Sequence, residues 1–163
     1  VEAVKAARRF GAVLASHDDT TAEQVATSAK HGIHLAEFPT TVEAARACHS
    51  HGIKVMRGAP NLIRGGAHSG NVAARELADL ELLDIISSDY VPAALLMSAV
   101  KLGEIWGDMA RGLSTVALAP ADAVELSDRG RLEIGKRADL IRFKLIDGTP
   151  ALRGVWARGQ RVA

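Results

Sequence analysis

A repeat of twenty residues constrains the fold of this chain more than any other feature of its sequence. The tripeptide His-Gly-Ile occurs at residues 31–33 and again at 51–53, each time after a helix-like stretch and before a short apolar run. Glycine ends a helix in the left-handed conformation at little steric cost, and histidine in the last turn suits the negative end of the helix dipole. We therefore interpret these histidines as structural.

The predicted helix starts follow the same period. Thr20 and Thr40 each stand three residues before a glutamate, Glu23 and Glu43, which is the spacing of a capping box. The repeating unit is thus strand, loop, capped helix, glycine and the next strand. Short apolar runs without clean alternation are typical of strands that are covered on both faces. The strands predicted on this basis are 12–16, 33–37, 54–57 and 83–87, with a helix over 73–80 before the last of them.

Four strands alternating with helices favour parallel βα units, as in a (β/α)8 barrel or a doubly wound sheet. A complete barrel needs about 200 to 250 residues. The chain has 163 residues, so it can hold only half of one. We assign residues 1–126 to this half-barrel and residues 127–163, where alternating runs and glycines indicate antiparallel strands, to a small β-rich domain.

Composition excludes several functional classes. The net charge of +1 supplies no field for nucleic acid or an anionic membrane, and the longest apolar stretches, such as 91–100, are too short to span a bilayer. Cys48 is the single cysteine, so no internal disulfide can form. We expect a cytoplasmic protein without nucleic-acid or membrane partners.

Candidate metal ligands stand where the predicted strands end. The carboxyl ends of parallel strands share one edge, and His17, Glu37 and Asp89 are delivered there. Imidazole and carboxylate groups are what a hydrolytic divalent metal such as zinc requires. The alternatives are a solvated turn at His17, an exposed loop carboxylate at Glu37 and an ordinary turn residue at Asp89.

A glycine-rich loop, residues 64–71, is the second candidate. It offers the guanidinium of Arg64, the imidazole of His68, the hydroxyl of Ser69 and several glycine N–H groups before a predicted helix. Such groups bind phosphate. The alternative is a glycine loop without a ligand. Asn61, after the third strand, is a further substrate-binding candidate.

Several blocks of the sequence resemble a known family. Residues 16–19, 37–46, 58–77 and 83–92 resemble the phosphonate-metabolism amidohydrolases of the PhnM type, and residues 130–140 with 159–162 resemble the C-terminal β-domain of the amidohydrolase superfamily. The resemblance implies the second half of a (β/α)8 barrel. It also implies hydrolysis of alpha-D-ribose 1-methylphosphonate 5-triphosphate to the 5-phosphate and pyrophosphate in phosphonate catabolism.

The resemblance implies roles for individual residues as well. Asp89 would be a metal ligand or the base for the attacking water, while Arg64, His68 and Ser69 would hold the polyphosphate. The superfamily's His-x-His on strand one and bridging Lys or Glu on strand four have no counterpart in this chain. We therefore expect activity only together with an N-terminal half. The family pattern leads us to expect an apolar residue before Gly58, and Arg57 departs from it.

Two other functions stay open. One is hydrolysis of a C–N bond by an amidohydrolase such as a deacetylase or a cyclic amidase, against which the anion-binding character of the loop argues. The other is a non-catalytic half-barrel that serves as an assembly module, with homo-oligomers formed through its exposed strand edges.

Overall fold

The computed structural model describes residues 2–66 and 70–163. Within that part of the chain, helices and strands alternate up to residue 123 and strands follow after residue 139. The helices are α1 (Glu2–Phe10), α2 (Ala22–Lys30), α3 (Val42–Ser50), α4 (Ala59–Arg64), α5 (Ala74–Asp79), α6 (Ala94–Trp106), α7 (Met109–Ser114) and α8 (Leu118–Ala123). The strands are β1 (Ala15–His17), β2 (Leu35–Glu37), β3 (Lys54–Gly58), β4 (Ile85–Ser87), β5 (Leu140–Ile146), β6 (Thr149–Ala157) and β7 (Gln160–Arg161).

The first four strands form one parallel sheet in the order β1-β2-β3-β4. The four predicted strands and the helix before the last one are thereby confirmed, with β1, β2 and β4 shorter than predicted. The α/β class with a parallel sheet is confirmed too.

One face of this sheet packs against the helices. Ala36, Val55 and Ile86 lie on neighbouring strands and belong to the buried core, together with Val25 and Leu77 from the helices. Because side chains alternate along a strand, His17 and Glu37 lie on the opposite face. The core thus supports the sheet on one face, and the other face carries His17 and Glu37 together with the apolar Leu35 and Ile85.

The helix caps sit one residue later than predicted. The hydroxyl of Thr21, not that of Thr20, accepts a hydrogen bond from the backbone N–H of Gln24, whose side chain reaches back to complete a capping box. Thr41 caps α3 by accepting a hydrogen bond from the backbone N–H of Ala44, whose methyl side chain cannot complete a capping box. Thr20 instead donates to the carbonyl oxygen of Asp18, so its hydroxyl ties the loop rather than the helix.

The C-terminal strands form a separate antiparallel sheet in the order β5-β6-β7. This agrees with the antiparallel tail expected from the sequence, although residues 130–135 form turns instead of a strand. Many apolar side chains here are exposed: Ile134 fully, and Leu132, Ile141 and Leu152 by about half or more.

The structure also bears on membrane-spanning helices and on the single cysteine. In the described ranges, none of the helices combines the length and apolar character needed to cross a bilayer. Cys48 is a buried free thiol, and its burial together with the charges of Asp19 and Asp84 raises its pKa to about 12. Such a thiol is not a nucleophile near neutral pH.

Candidate active site at the carboxyl edge of the parallel sheet

The predicted ligands His17 and Glu37 are neighbours at the end of the parallel sheet. His17 is the last residue of β1, Glu37 is the last of β2, and the two are paired in register. Their side chains therefore leave the same face of adjacent strands. The spacing of twenty residues between His17, Glu37 and Arg57 predicts equivalent positions on successive strands, and the register confirms this for His17 and Glu37. For Arg57 the prediction is wrong, because Glu37 is paired with Met56 and Arg57 therefore lies on the other face of the sheet.

The imidazole of His17 is held by its neighbour in sequence. Its Nδ1 lies 2.9 Å from a carboxylate oxygen of Asp18, and its ring meets the ring of Phe38 edge to face with 5.4 Å between centroids. An Nδ1 atom engaged by a carboxylate leaves Nε2 as the nitrogen that can bind a ligand. Sequence reasoning missed this role of Asp18, although the adjacent pair was visible.

Backbone in the left-handed region follows three of the four parallel strands. Asp18, Phe38 and Asp89 have φ angles of 59°, 57° and 50°. Residues other than glycine adopt this conformation at a cost, and it concentrates at sites where the chain must turn a side chain in a set direction. At this edge it turns the chain sharply just after His17, after Glu37 and before Tyr90.

Asp89 occupies the space that a side chain at Gly58 would fill. A Cβ atom built on Gly58 would lie 2.6 Å from Oδ2 of Asp89. Gly58 has φ of −76° and ψ of 137°, which any residue can adopt, so the absence of a side chain matters here for space and not for backbone conformation. Gly58 thus lets the Asp89 carboxylate approach the end of β3.

A cavity of about 200 Å³ opens beside these residues. Two of the predicted site residues, Asn61 and Asp89, line it, whereas His17 and Glu37 do not. The other lining residues are Asp18, Phe38, Arg57, Pro60, Asn71 and Tyr90. A larger cavity of about 630 Å³ opens at the amino ends of the strands, and none of the predicted site residues lines it.

The predicted substrate-binding residues differ in their surroundings. The side-chain oxygen of Asn61 accepts a hydrogen bond of 2.7 Å from the backbone N–H of Ala74, so part of its function is to cap α5. The guanidinium of Arg64 lies 5.7 Å from the ring centroid of Tyr90, which lines the cavity, although Arg64 itself does not line it. His68 and Ser69 lie outside the described residues.

Arg57 is the residue that sequence reasoning left without a role. Its side chain is buried, and its two terminal nitrogens donate to the carbonyl oxygens of Pro39 and Val72, each at 2.8 Å. Its Nε atom is buried without a hydrogen-bond partner among the described residues. Burial lowers the pKa of this guanidinium, and the nearby charge of Asp18 opposes that effect. An arginine within a predicted strand was the available signal.

His17, Glu37 and Asp89 are the side chains predicted to bind a divalent metal at this edge. The register of His17 and Glu37 and the engaged Nδ1 of His17 suit a cation bound by nitrogen and oxygen ligands. Within residues 2–66 and 70–163, however, no group of three or more His, Cys, Asp or Glu side chains is placed to hold a metal ion. The structure therefore brings two of the three predicted ligands together and does not join Asp89 to them in such a group.

Comparisons with known proteins place the chain in a wider context. Over 152 residues, 91% of this chain, it is 49% identical to the alpha-D-ribose 1-methylphosphonate 5-triphosphate diphosphatase of Escherichia coli (strain K12). The chain spans 40% of the length of that relative. The scan against family models found no match.

Solved structures share the fold. The chain superposes on a prolidase complexed with N-methylphosphonate-L-proline with a TM-score of 0.71 and 20% identity, covering 98% of this chain and 47% of that one. For molinate hydrolase the TM-score is 0.61 at 15% identity, with 98% of this chain and 44% of that one covered. The 49% identity with the E. coli enzyme confirms the predicted resemblance: over most of its length, this chain is related to part of an alpha-D-ribose 1-methylphosphonate 5-triphosphate diphosphatase.

Proposed function

We propose that this chain is the catalytic carboxyl half of a metal-dependent diphosphatase. The enzyme would hydrolyse alpha-D-ribose 1-methylphosphonate 5-triphosphate to the 5-phosphate and pyrophosphate. The identity of 49% with the E. coli diphosphatase carries this proposal. Because the chain spans 40% of that relative, we assign the activity to the chain together with a second segment, not to the chain alone.

The proposed architecture is half of a (β/α)8 barrel, residues 1–126, followed by the carboxyl part of a β-domain, residues 127–163. The parallel order of β1 to β4 and the helices on one face support it, since a barrel strand keeps its other face for the interior. His17 and Glu37 would then face the barrel interior, at the edge where barrel enzymes carry their active sites.

The residues of this edge divide the proposed chemistry between them. His17 and Glu37 would contribute ligands, with Asp18 fixing the imidazole so that Nε2 faces the site. A divalent metal, zinc or similar, would polarise a phosphate oxygen and lower the pKa of a bound water. Asp89 would accept the proton of the attacking water or serve as a further ligand.

Phosphate recognition falls to the other side of the cavity. Arg64 and Asn61, with His68 and Ser69 from the glycine-rich loop, would hold the triphosphate, because guanidinium and N–H groups compensate charge on phosphate oxygens. The position of Arg64 against Tyr90 supports this, since Tyr90 lines the same cavity as Asp89. The 5-phosphate would remain bound to the same groups until pyrophosphate departs.

A product assay tests the proposal. The chain is expressed alone and together with the part of the E. coli diphosphatase that it does not match, and each preparation receives zinc or manganese and the triphosphate substrate. We expect pyrophosphate from the pair and none from the chain alone. Asp89→Asn in the pair is the matched control, which should fold and release little product.

Other outcomes would point to the alternative functions. Release of ammonia or a carboxylate from an N-acetyl sugar or a cyclic amide, without pyrophosphate from the triphosphate, would identify a hydrolase of C–N bonds. An inactive pair that binds no metal and a chain that self-associates in light scattering would identify an assembly module. Either result would refute the diphosphatase assignment.

A further inference from the structure

We propose that Arg57 is a positioning residue that joins the segment carrying Glu37 to the end of the glycine-rich loop. It is a different residue from the ligands and phosphate-binding groups discussed above. The effect that we predict on the reaction rests on the proposed function. The effect that we predict on the local structure rests only on the contacts of Arg57.

The first step of the argument is the position of the two carbonyl groups that Arg57 binds. Pro39 lies two residues after Glu37 and is itself buried, and Val72 directly follows Asn71, which lines the cavity of about 200 Å³. The planar guanidinium donates from Nη1 to one segment and from Nη2 to the other. This fork geometry fixes both directions at once, which a lysine ammonium cannot do.

The second step is the contact with Phe38. The guanidinium carbon of Arg57 lies 5.6 Å from the centroid of the Phe38 ring, and the same ring makes the edge-to-face contact with His17. Arg57 therefore supports the left-handed residue that turns the chain after Glu37. A continuous set of contacts runs from β3 through Phe38 to the imidazole of His17.

The third step is the energetic cost of this arrangement. A buried cation is expensive unless its hydrogen-bonding groups are satisfied, and an apolar side chain would be the simpler way to fill this space. Within the described part of the chain, Arg57 forms no ion pair with a carboxylate within 4 Å. A buried cation bound to carbonyl oxygens of both segments therefore fits a role in holding their relative geometry.

Backbone hydrogen bonds show what Arg57 would keep in place. The N–H of Val72 donates to the carbonyl oxygen of Thr40 at 2.8 Å, and the N–H of Thr40 donates to that of Asp19 at 2.9 Å. These two hydrogen bonds connect three segments of the chain, at Asp19, Thr40 and Val72. Arg57 binds the carbonyl oxygens of Pro39 and Val72 in two of these segments. Their hydrogen exchange reports on the local geometry without any assay of activity.

The experiment compares Arg57→Met and Arg57→Lys with a nearby control, Arg75→Met, which removes an exposed arginine paired with Asp79. In Arg57→Met we expect exchange of the Val72 and Thr40 amide protons to rise about ten-fold, because the carbonyl anchors are lost. Exchange of the Asp84 amide, bonded to Val55 at the other end of the strands, should not change. Arg75→Met should leave all three amides unchanged.

Kinetics of the active pair provide the second readout. We expect Arg57→Met to raise KM for the triphosphate about ten-fold or more, with a smaller change in kcat, because the two segments no longer face each other correctly. Arg57→Lys should remain impaired, since it restores the charge without the fork. A lysine variant equal to the wild type in exchange and in KM would overturn the inference.

The two proposals fail separately. If the wild-type pair releases no pyrophosphate, the diphosphatase assignment fails, and the exchange rates still decide the role of Arg57. If the pair is active and Arg57→Met leaves KM and the Val72 exchange rate unchanged, the positioning role fails and the assignment stands. If Arg57→Met does not fold, Arg57→Lys carries the same comparison.

Discussion

Two aspartates stand at opposite ends of strand β4. Asp84 lies one residue before the strand, and its carboxylate accepts hydrogen bonds from the backbone N–H of Val55, from Lys54 and from His49, at 2.8 to 3.0 Å. Asp89 lies two residues after the strand, in the left-handed region and exposed. No other residue in the described ranges forms a hydrogen bond or ion pair with the Asp89 carboxylate.

The contrast separates a carboxylate that is bonded within the fold from one to which we assign a function by proposal. Burial raises the pKa of the Asp84 carboxyl, but the hydrogen bonds from Val55, Lys54 and His49 outweigh it and hold that pKa below its ordinary value. Both of its oxygens thus accept hydrogen bonds from groups of the chain itself. Asp89 is aimed over Gly58 toward a cavity and keeps its oxygens open to a ligand. In parallel α/β folds the amino edge typically serves stability and the carboxyl edge function.

The largest effect is expected from Asp89→Asn in the active pair. The change removes the charge and the proton-accepting capacity while conserving size, so kcat should fall by about a hundred-fold to ten-thousand-fold. The urea midpoint should match that of the wild type, because the exposed carboxylate supports no described contact. Asp79→Asn, which removes an exposed helix carboxylate, is the control and should keep full activity. Near-normal turnover in Asp89→Asn would contradict the functional assignment of this edge.

Gly58→Ala sharpens the comparison by moving the Asp89 carboxylate without changing its charge. The added Cβ would overlap Oδ2 of Asp89, so we expect kcat to fall by about ten-fold to a hundred-fold. In an Asp89→Ala background only the Cβ of residue 89, 3.1 Å from the added Cβ, remains close, so the same substitution should cost less stability than it does in the wild type.

A double-mutant cycle measured by urea unfolding checks this coupling. Gly66→Ala is the control, because a Cβ there meets nothing within 4 Å. Strict additivity of Gly58→Ala and Asp89→Ala in the cycle would show that the two positions do not interact.

Asp84→Ala should affect stability and leave the chemistry at the other edge intact. It removes three hydrogen bonds to a largely buried carboxylate and should lower the free energy of unfolding by about 2 kcal/mol. Asp79→Ala, which breaks an exposed pair with Arg75, should cost about 0.5 kcal/mol or less. Equal losses in the two variants would remove the distinction drawn between buried and exposed carboxylates.

The smallest effect is the pH dependence of the contribution that Asp84 makes to the free energy of unfolding. The folded pKa of Asp84 is depressed, so its contribution is complete above the unfolded pKa of about 3.9 and is lost as the pH falls through the lower folded value. The difference in unfolding free energy between the wild type and Asp84→Ala should therefore be constant from pH 7 to 5 and shrink toward pH 2. A difference that grows in acid would reverse the assigned direction of the shift.

Much of the fold was predictable because local chemistry repeats. The glycines of the repeat, Gly32 and Gly52, follow the ends of α2 and α3 with positive φ, and the strand that follows each one was located within two residues. The capping threonines were assigned one residue early, because Thr20 and Thr21 are adjacent and only the packing of the loop decides which hydroxyl turns to the helix.

The site was predictable in part for a related reason. Strand ends share an edge in any parallel sheet, so the positions of His17 and Glu37 followed from spacing alone. The cap formed by Asn61 on Ala74 was not visible, because it joins residues thirteen apart whose contact depends on how α4 and α5 pack. The contact of Asp18 with His17 joins adjacent residues, but the direction of the Asp18 carboxylate depends on the left-handed backbone at that position.

By itself the sequence determined the order of helices and strands, the parallel pairing and the edge at which the polar residues gather, because these follow from short-range patterns. Only the tertiary structure decided the use of each side chain: that Asp84 is enclosed by three donors, that Asp89 lies over Gly58, and that the charge of Arg57 is buried beneath two loops. The physical reason is that burial and hydrogen-bond partners come from segments distant in the chain.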